Sequence, residues 1–463
     1  MSQDLASSVT APVVSNHEPS RPMANPGHAA FTFGGSLGIQ FINAFTGILL
    51  ARALGPDGKG ELTAALLWPA LLAVVFEAGL LDATTVFATR FSRRERLFST
   101  VFYPAMGLAA VAMGLGYWLL PIVLGHAGSE VVRISQLYLL FIPVCLALGV
   151  ALAVLQGQLA FKQFNALRVI VPAFTACGLV ALAVGGVLTV EHVVLVYIAA
   201  NLVTLVLALL TLHRQAWLSW QADWARIPSL LSFGLKSYGG ILSGIVNRQG
   251  DQLLISIYLL PTQLGLYSVA VTLTAGVLLV GTSAQIITLP TVARLSDPKA
   301  QREMLGRLVR LCFWASALTG AAFIVSAPVL INLLFGPAFL PALATTEVLL
   351  LAAIMLNVNM VLAAAIRACG WPMAASCAEI AAVVVTLIGL ALLLPTMGIL
   401  GAAVASVLAY GASGALLLGF LRARLHVGLH DLLLPTPADV EWLSQAVGRR
   451  LHPIFGRRTP GVD

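Results

Sequence analysis

Twelve stretches of mainly apolar residues run through this 463-residue chain, at roughly 30–52, 62–88, 98–122, 134–156, 168–187, 192–212, 232–258, 264–290, 306–334, 346–367, 373–394 and 400–421. Each is near or above the length of about 20 residues that crosses a bilayer as a helix, and no other feature constrains the fold as strongly. In hydrocarbon every backbone N–H and C=O must be satisfied within the protein, so only helices and closed barrels can span it. A barrel would show alternating segments of about ten residues, and the sequence has none. Only 10% of residues are charged, where soluble domains carry about a quarter. The expected fold is an all-α polytopic membrane protein of about 12 transmembrane helices.

A second pattern is written twice. Phe33-Gly34-Gly35 precedes Pro56 and Gly60, and Tyr238-Gly239-Gly240 precedes Pro261 and Gly265 at the same spacings, with a constant offset of 205 residues. Each copy is a long apolar run closed by a tight Pro/Gly turn and followed by another apolar run. The duplication predicts two pseudo-symmetric six-helix bundles, 30–212 and 232–421, around a central cavity. Many transporters use such repeats to expose a midplane site to each side in turn. Residues 213–231 read as an interfacial linker, where Trp217, Trp220 and Trp224 recur at helical spacing and suit a short helix at the membrane surface. Residues 1–29, polar and punctuated by Pro12, Pro19, Pro22 and Pro26, read as a disordered cytoplasmic tail. Residues 422–463 form a basic cytoplasmic tail in which Val440, Leu443, Val447 and Leu451 make the apolar stripe of an amphipathic helix.

Lys and Arg number 26. With both termini in the cytoplasm, only Arg52, Lys59 and Arg133 fall outside, and Lys236 and Arg248 lie within the seventh stretch. This is the bias that keeps positive charge on the cytoplasmic side, here of the plasma (inner) membrane. The pI near 9.4 is therefore a topology signal and calls for no nucleic acid, with membrane lipids as the polyanions to be met. The five cysteines show no CxxC or Cys/His spacing, and no nucleophile elbow or phosphate-binding glycine loop is present. No catalytic residues, metal or cofactor are expected, and the chain does not read as an enzyme.

Function must then rest on polar groups inside the membrane, where ionisable residues are costly and mark pathways. In the seventh stretch Lys236, Ser243, Asn247 and Asp251 share one helical face, with Arg248 on an adjoining one. Counting about 1.5 Å per residue from Phe233 puts Arg248 roughly 22 Å up, past the middle of a core about 30 Å thick. The first stretch repeats the habit with Thr32, Ser36, Gln40, Asn43 and Gly47. Small-residue helix packing accounts for much of both stripes, and a mutual ion pair is the structural reading of Arg248 and Asp251. Glu77, also deep, is either an ion-coupling group or a counter-charge to Arg248 or Arg52.

Leu49-Leu50-Ala51-Arg52-Ala53-Leu54-Gly55-Pro56, followed by Gly58-Lys59-Gly60-Glu61, resembles the first hairpin of the polysaccharide transporters, the oligosaccharide flippases of the multidrug/oligosaccharidyl-lipid/polysaccharide exporter superfamily. Leu231-Ser232-Phe233-Gly234, Asp251, Leu264-Gly265-Leu266-Tyr267-Ser268-Val269-Ala270 and Leu289-Pro290 are similar to the start of its second half. Leu155-Gln156-Gly157 with Phe161, and Arg367-Ala368-Cys369-Gly370 with Pro372, resemble its paired turns. The resemblance implies a cationic cavity lined mainly by helices one, two, seven and eight. Through it a polyprenyl-diphosphate-linked oligosaccharide would flip from the cytoplasmic to the outer leaflet by alternating access, its lipid tail in a lateral gap. It implies binding of the cargo headgroup or diphosphate by Arg52 and Arg248, whose planar donors suit phosphate. Asn43, Gln40, Asn247 and Lys236 complete the candidate cavity lining, and Asp251 and Glu77 are candidates for proton or sodium coupling. Partners on this reading are the lipid-linked oligosaccharide, membrane lipids, a polysaccharide polymerase and glycosyltransferases.

Two other readings stay open. A cation-coupled multidrug exporter shares the architecture, although the deep Arg248 favours an anionic cargo. A polytopic glycan polymerase or ligase would use the same sugars, but such enzymes need a large outer loop, and every outward loop here is short, near 53–61, 124–133, 188–191, 259–263, 335–345 and 395–399.

Overall fold

The structure, a computed structural model, describes residues 26–88, 94–295 and 297–425. The described chain contains no strand. Its helices are α1 (Pro26–Glu77), α2 (Leu80–Ala88), α3 (Arg94–Leu124), α4 (Ser129–Tyr138), α5 (Phe141–Gly157), α6 (Phe161–Val184), α7 (Val190–Arg214), α8 (Ile227–Tyr258), α9 (Pro261–Ala293), α10 (Pro298–Leu330), α11 (Leu343–Ala368) and α12 (Pro372–Leu425). A π turn, Ile331–Phe335, and a 3₁₀ segment, Pro337–Ala342, join α10 to α11. Among the described residues nine helical stretches are long and apolar enough to cross a membrane, and two of these are 40 and 53 residues long.

Those two each fold back at a glycine. Gly55 takes φ 68° inside α1 and Gly398 takes φ 59° inside α12, a backbone region that costs glycine little. Pro56 then opens the second arm of α1, where its missing N–H has no intrahelical partner to lose. The outward loop expected over 53–61 is thus reduced to a kink at one residue. The helix expected over 62–88 is instead broken at Ala78 and Gly79, both at positive φ. The stretch expected over 134–156 is broken between α4 and α5.

Burial follows the demands of a lipid solvent. α12 presents Ala402, Ala403, Ala405 and Ala409, all fully buried, to its neighbours, as small residues let helices approach closely. α10 turns Trp314, Leu318, Val325 and Val329 outward, and their spacing of four, seven and four is one apolar helical face.

The linker is not the helix its tryptophans suggested. Only Trp224–Arg226 form a 3₁₀ turn, and the rest is tied in irregular form to the start of α3. The Ser219 N–H donates to the Glu95 carbonyl at 2.8 Å, the Asp223 N–H to Thr100 Oγ1 at 2.9 Å, and Ser99 Oγ to the Gln221 carbonyl at 2.8 Å. Trp220 and Trp224 pack on Phe98, Phe102 and Tyr103. α1 begins at Pro26, inside the segment read as a tail; residues 1–25 and the amphipathic helix placed at 440–451 lie outside the described residues.

The duplicated turns meet each other. A Cβ on Gly60 would stand 1.7 Å from the Pro261 carbonyl oxygen, and one on Gly265 would stand 2.1 Å from that of Pro56. The Thr262 hydroxyl donates to the Asp57 carboxylate across the same contact. Positions related by the repeat can touch in this reciprocal way only at a pseudo-two-fold axis, and that axis passes between the two hairpins.

Candidate functional site: the seams between the halves

Two seams join the halves, and they differ. Along the first, the second arm of α1 and α2 lie against α8. Trp68 Nε1 donates to Ser256 Oγ at 3.0 Å, Tyr238 Oη donates to the Val74 carbonyl at 2.7 Å, and Phe87 meets Phe233 edge-on at 5.9 Å. The break at Ala78–Gly79 belongs to this seam, because a Cβ on Gly79 would lie 2.3 Å from the Gly234 carbonyl oxygen. These contacts hold the seam together among the described residues.

The second seam, between the first arm of α1 and α9, is shut at the hairpins and open farther along. Near the hairpins Ala51, Val269, Ile331, Phe335 and Phe339 form a buried apolar plug. Beyond it lies a cavity of about 600 Å³, walled by α1, α9, α10 and the π turn. Gln40, Asn43, Thr272 and Thr282 bring its polar groups, and its other lining residues, Phe41 and Phe323 among them, are apolar. Of the residues nominated from sequence, Gln40 and Asn43 meet here. Among the described residues the walls add α10 to the expected lining.

Arg52 sits at the edge of this cavity. Its Nε–H donates to the Leu334 carbonyl at 2.8 Å and an Nη2–H donates to the Leu333 carbonyl. A guanidinium placed on the last carbonyls of a helix is favoured by the helix dipole, so Arg52 fastens one half to the other. Two of its five donors are engaged there.

Arg248 and Asp251 are not an ion pair. The Asp251 carboxylate accepts from the Tyr267 hydroxyl and, at 2.8 Å, from the Gln252 N–H. Tyr267 is fully buried, with the Ser406 hydroxyl beside it. Arg248 is exposed, and among the described residues it has no carboxylate partner. Its charge reaches Tyr410 of α12, as does that of Asp251. The result is a polar centre of α8, α9 and α12 in which the acid is held by tyrosine while the arginine stays open. Sequence reasoning passed over Tyr267 as a site residue although it stands in the quoted Leu264–Ala270 motif.

Glu77 ends the second arm of α1, half-buried and within electrostatic reach of Asp82, Cys145 and Tyr238. Among the described residues no ion pair joins it to Arg248 or Arg52. The side chains of Lys236 and Asn247 lie outside the described set. The five cysteines are free thiols, and among the described residues no group of three His, Cys, Asp or Glu could hold a metal ion.

A pseudo-symmetric helical bundle with a cavity where its halves meet is the architecture of a membrane transporter. The model of the family described as polysaccharide biosynthesis protein matches residues 49–344, and the chain belongs to that family. No curated protein matches it in sequence. Among solved structures, the lipid II flippase MurJ in an inward closed conformation superposes with a TM-score of 0.74 at 12% identity, covering 93% of this chain and 94% of that one. An inward-facing multidrug resistance MATE transporter gives 0.71 at 14% identity over 84% and 94%. An outward-facing one gives 0.54 at 13% identity over 86% and 95%. The solved structures are those of a flippase and of transporters.

Proposed function

We propose that this protein flips a polyprenyl-diphosphate-linked oligosaccharide from the cytoplasmic to the outer leaflet of the plasma membrane for surface polysaccharide synthesis, by alternating access of two lobes, 30–212 and 232–421. The single observation that carries the reading is the open half of the seam between α1 and α9. Its cavity is apolar over most of its wall and polar at Gln40 and Asn43, which suits a cargo with a hydrocarbon tail and a polar head. The cationic groups offered to a diphosphate are Arg52, at the edge of this cavity, and Arg248 of α8. Arg248 is exposed, and Arg52 keeps three donors beyond those on Leu333 and Leu334. Charge-assisted contacts to phosphate are strengthened where water is scarce.

The termini are cytoplasmic on this reading, so the hairpins that close against each other form the outer gate. Asp251 and Glu77 couple transport to a proton or sodium ion. The likeness in fold to a flippase of lipid II supports a lipid-linked cargo, and a polymerase and glycosyltransferases would act on either side of the transfer. Reconstituted protein offered a fluorescent polyprenyl-diphosphate oligosaccharide and, separately, the cationic drug ethidium decides between this reading and the multidrug exporter. Transfer of the sugar lipid alone supports the proposal, and transfer of ethidium alone overturns it.

A further inference from the structure

A second cavity, of about 270 Å³, lies within the first half among α1, α5, α6 and α7. It shares Asn43 with the cavity along the α1/α9 seam. Its polar lining is Asn43, Thr46, Arg168, Thr175 and Tyr197, and among the described residues no acidic one lines it. Thr46 uses its proton on the Asn43 carbonyl at 3.0 Å. Thr175 has no such outlet. Its side chain is 4% exposed, and its hydroxyl has no hydrogen-bond partner, although a buried polar group left unpaired destabilises a fold. Arg168 lies with its guanidinium carbon 5.3 Å from the centre of the Phe164 ring, and among the described residues no carboxylate pairs with it. A cavity in a membrane bundle that offers an unpaired guanidinium, an unpaired hydroxyl and an amide, with no negative charge to answer them, is complementary to an anion.

We infer that this pocket binds the phosphate group of a lipid, with Arg168 and Thr175 donating to its oxygens. The apolar walls, Ile39, Leu152, Val171 and Pro172 among them, would hold the root of the hydrocarbon. The volume is at the small end for ligand pockets, enough for a headgroup and too small for an oligosaccharide. The phosphate has two sources, a glycerophospholipid of the bilayer or the diphosphate of a prenyl carrier, and both present the same chemistry to the same donors.

The test uses purified full-length protein carrying Arg248→Gln, so that the central arginine does not contribute, and native mass spectrometry of lipid adducts. Dioleoylphosphatidylglycerol is compared with dioleoylglycerol, and farnesyl diphosphate with farnesol. At least one phosphate compound binds about 10-fold or more tightly than its phosphate-free counterpart, as charge-assisted hydrogen bonds require. Preference for the phospholipid alone assigns a bilayer lipid, and preference for the diphosphate alone assigns a carrier. Arg168→Gln and Thr175→Val each remove most of that preference, and Arg168→Lys keeps part of it. Thr175→Val also leaves thermal stability unchanged or raised, because it deletes an unpartnered hydroxyl, so its loss of binding is not a loss of fold. No preference for either phosphate compound, or a preference that survives both Arg168→Gln and Thr175→Val, overturns the inference.

Discussion

Asp57 and Thr262 occupy the same position in the two copies of the repeat, 205 residues apart, and they hydrogen-bond to each other. The two positions are therefore related by rotation about the pseudo-two-fold axis, and opening the molecule on that side separates residues that the duplication made equivalent. Cysteines at 57 and 262 are predicted to cross-link with a short bifunctional reagent. The cross-linked protein loses transport and regains it when a cleavable linker is cut. Full transport by the cross-linked protein would show that the hairpins do not separate.

Gly60 and Gly265 leave no space for a side chain at this contact. Gly60→Leu cannot be absorbed by rotation, since the colliding atom is a backbone carbonyl oxygen, and overpacking of this kind costs about 1–3 kcal/mol. The strain falls on the closed form only. We predict that Gly60→Leu raises labelling of a cysteine at position 43 by a membrane-impermeant maleimide added from the hairpin side, while transport falls at least tenfold. Labelling equal to that of the parent cysteine protein would contradict the gate.

Tyr267 holds Asp251 by a side-chain hydrogen bond in the second half. Tyr267→Phe leaves a half-buried carboxylate one donor short, which costs about 1–3 kcal/mol and shows as a lowered Tm in detergent. Asp251→Asn is predicted to abolish the dependence of transport on a proton or sodium gradient. Gradient dependence that persists in Asp251→Asn would move the coupling role to Glu77.

Tyr238 donates to the Val74 carbonyl at 2.7 Å across the seam between α1 and α8. Tyr238→Phe is predicted to cost about 1 kcal/mol, read as a small drop in Tm, without changing the cargo. A change in cargo selectivity would place this seam in the pathway.

Much of the architecture was legible before any coordinates. Apolar run length implied helical spans, and Pro56/Gly60 with Pro261/Gly265 implied the two-fold, because both signals are local and set by the bilayer and by turn chemistry. Contacts between distant segments were not legible. Nothing near Arg52 in sequence announces that its donors go to carbonyls more than 280 residues away. The break at Ala78–Gly79 makes sense only against Gly234. Arg248 and Asp251, three residues apart on one helix, suggested a pair, yet Tyr267 from the next helix takes the carboxylate. The linker tryptophans had helical spacing, yet Trp220 and Trp224 pack on the Phe98, Phe102 and Tyr103 side chains of α3 instead.

The central claim is that an open, unpaired arginine between the halves escorts an anionic sugar-lipid head. It is tested most directly by the transfer of a polyprenyl-diphosphate oligosaccharide into proteoliposomes by the parent protein and by Arg248→Gln. Transfer by Arg248→Gln falls at least tenfold, with expression and Tm unchanged, since no carboxylate loses a partner. Transfer at the parent rate by a folded Arg248→Gln protein would contradict the account.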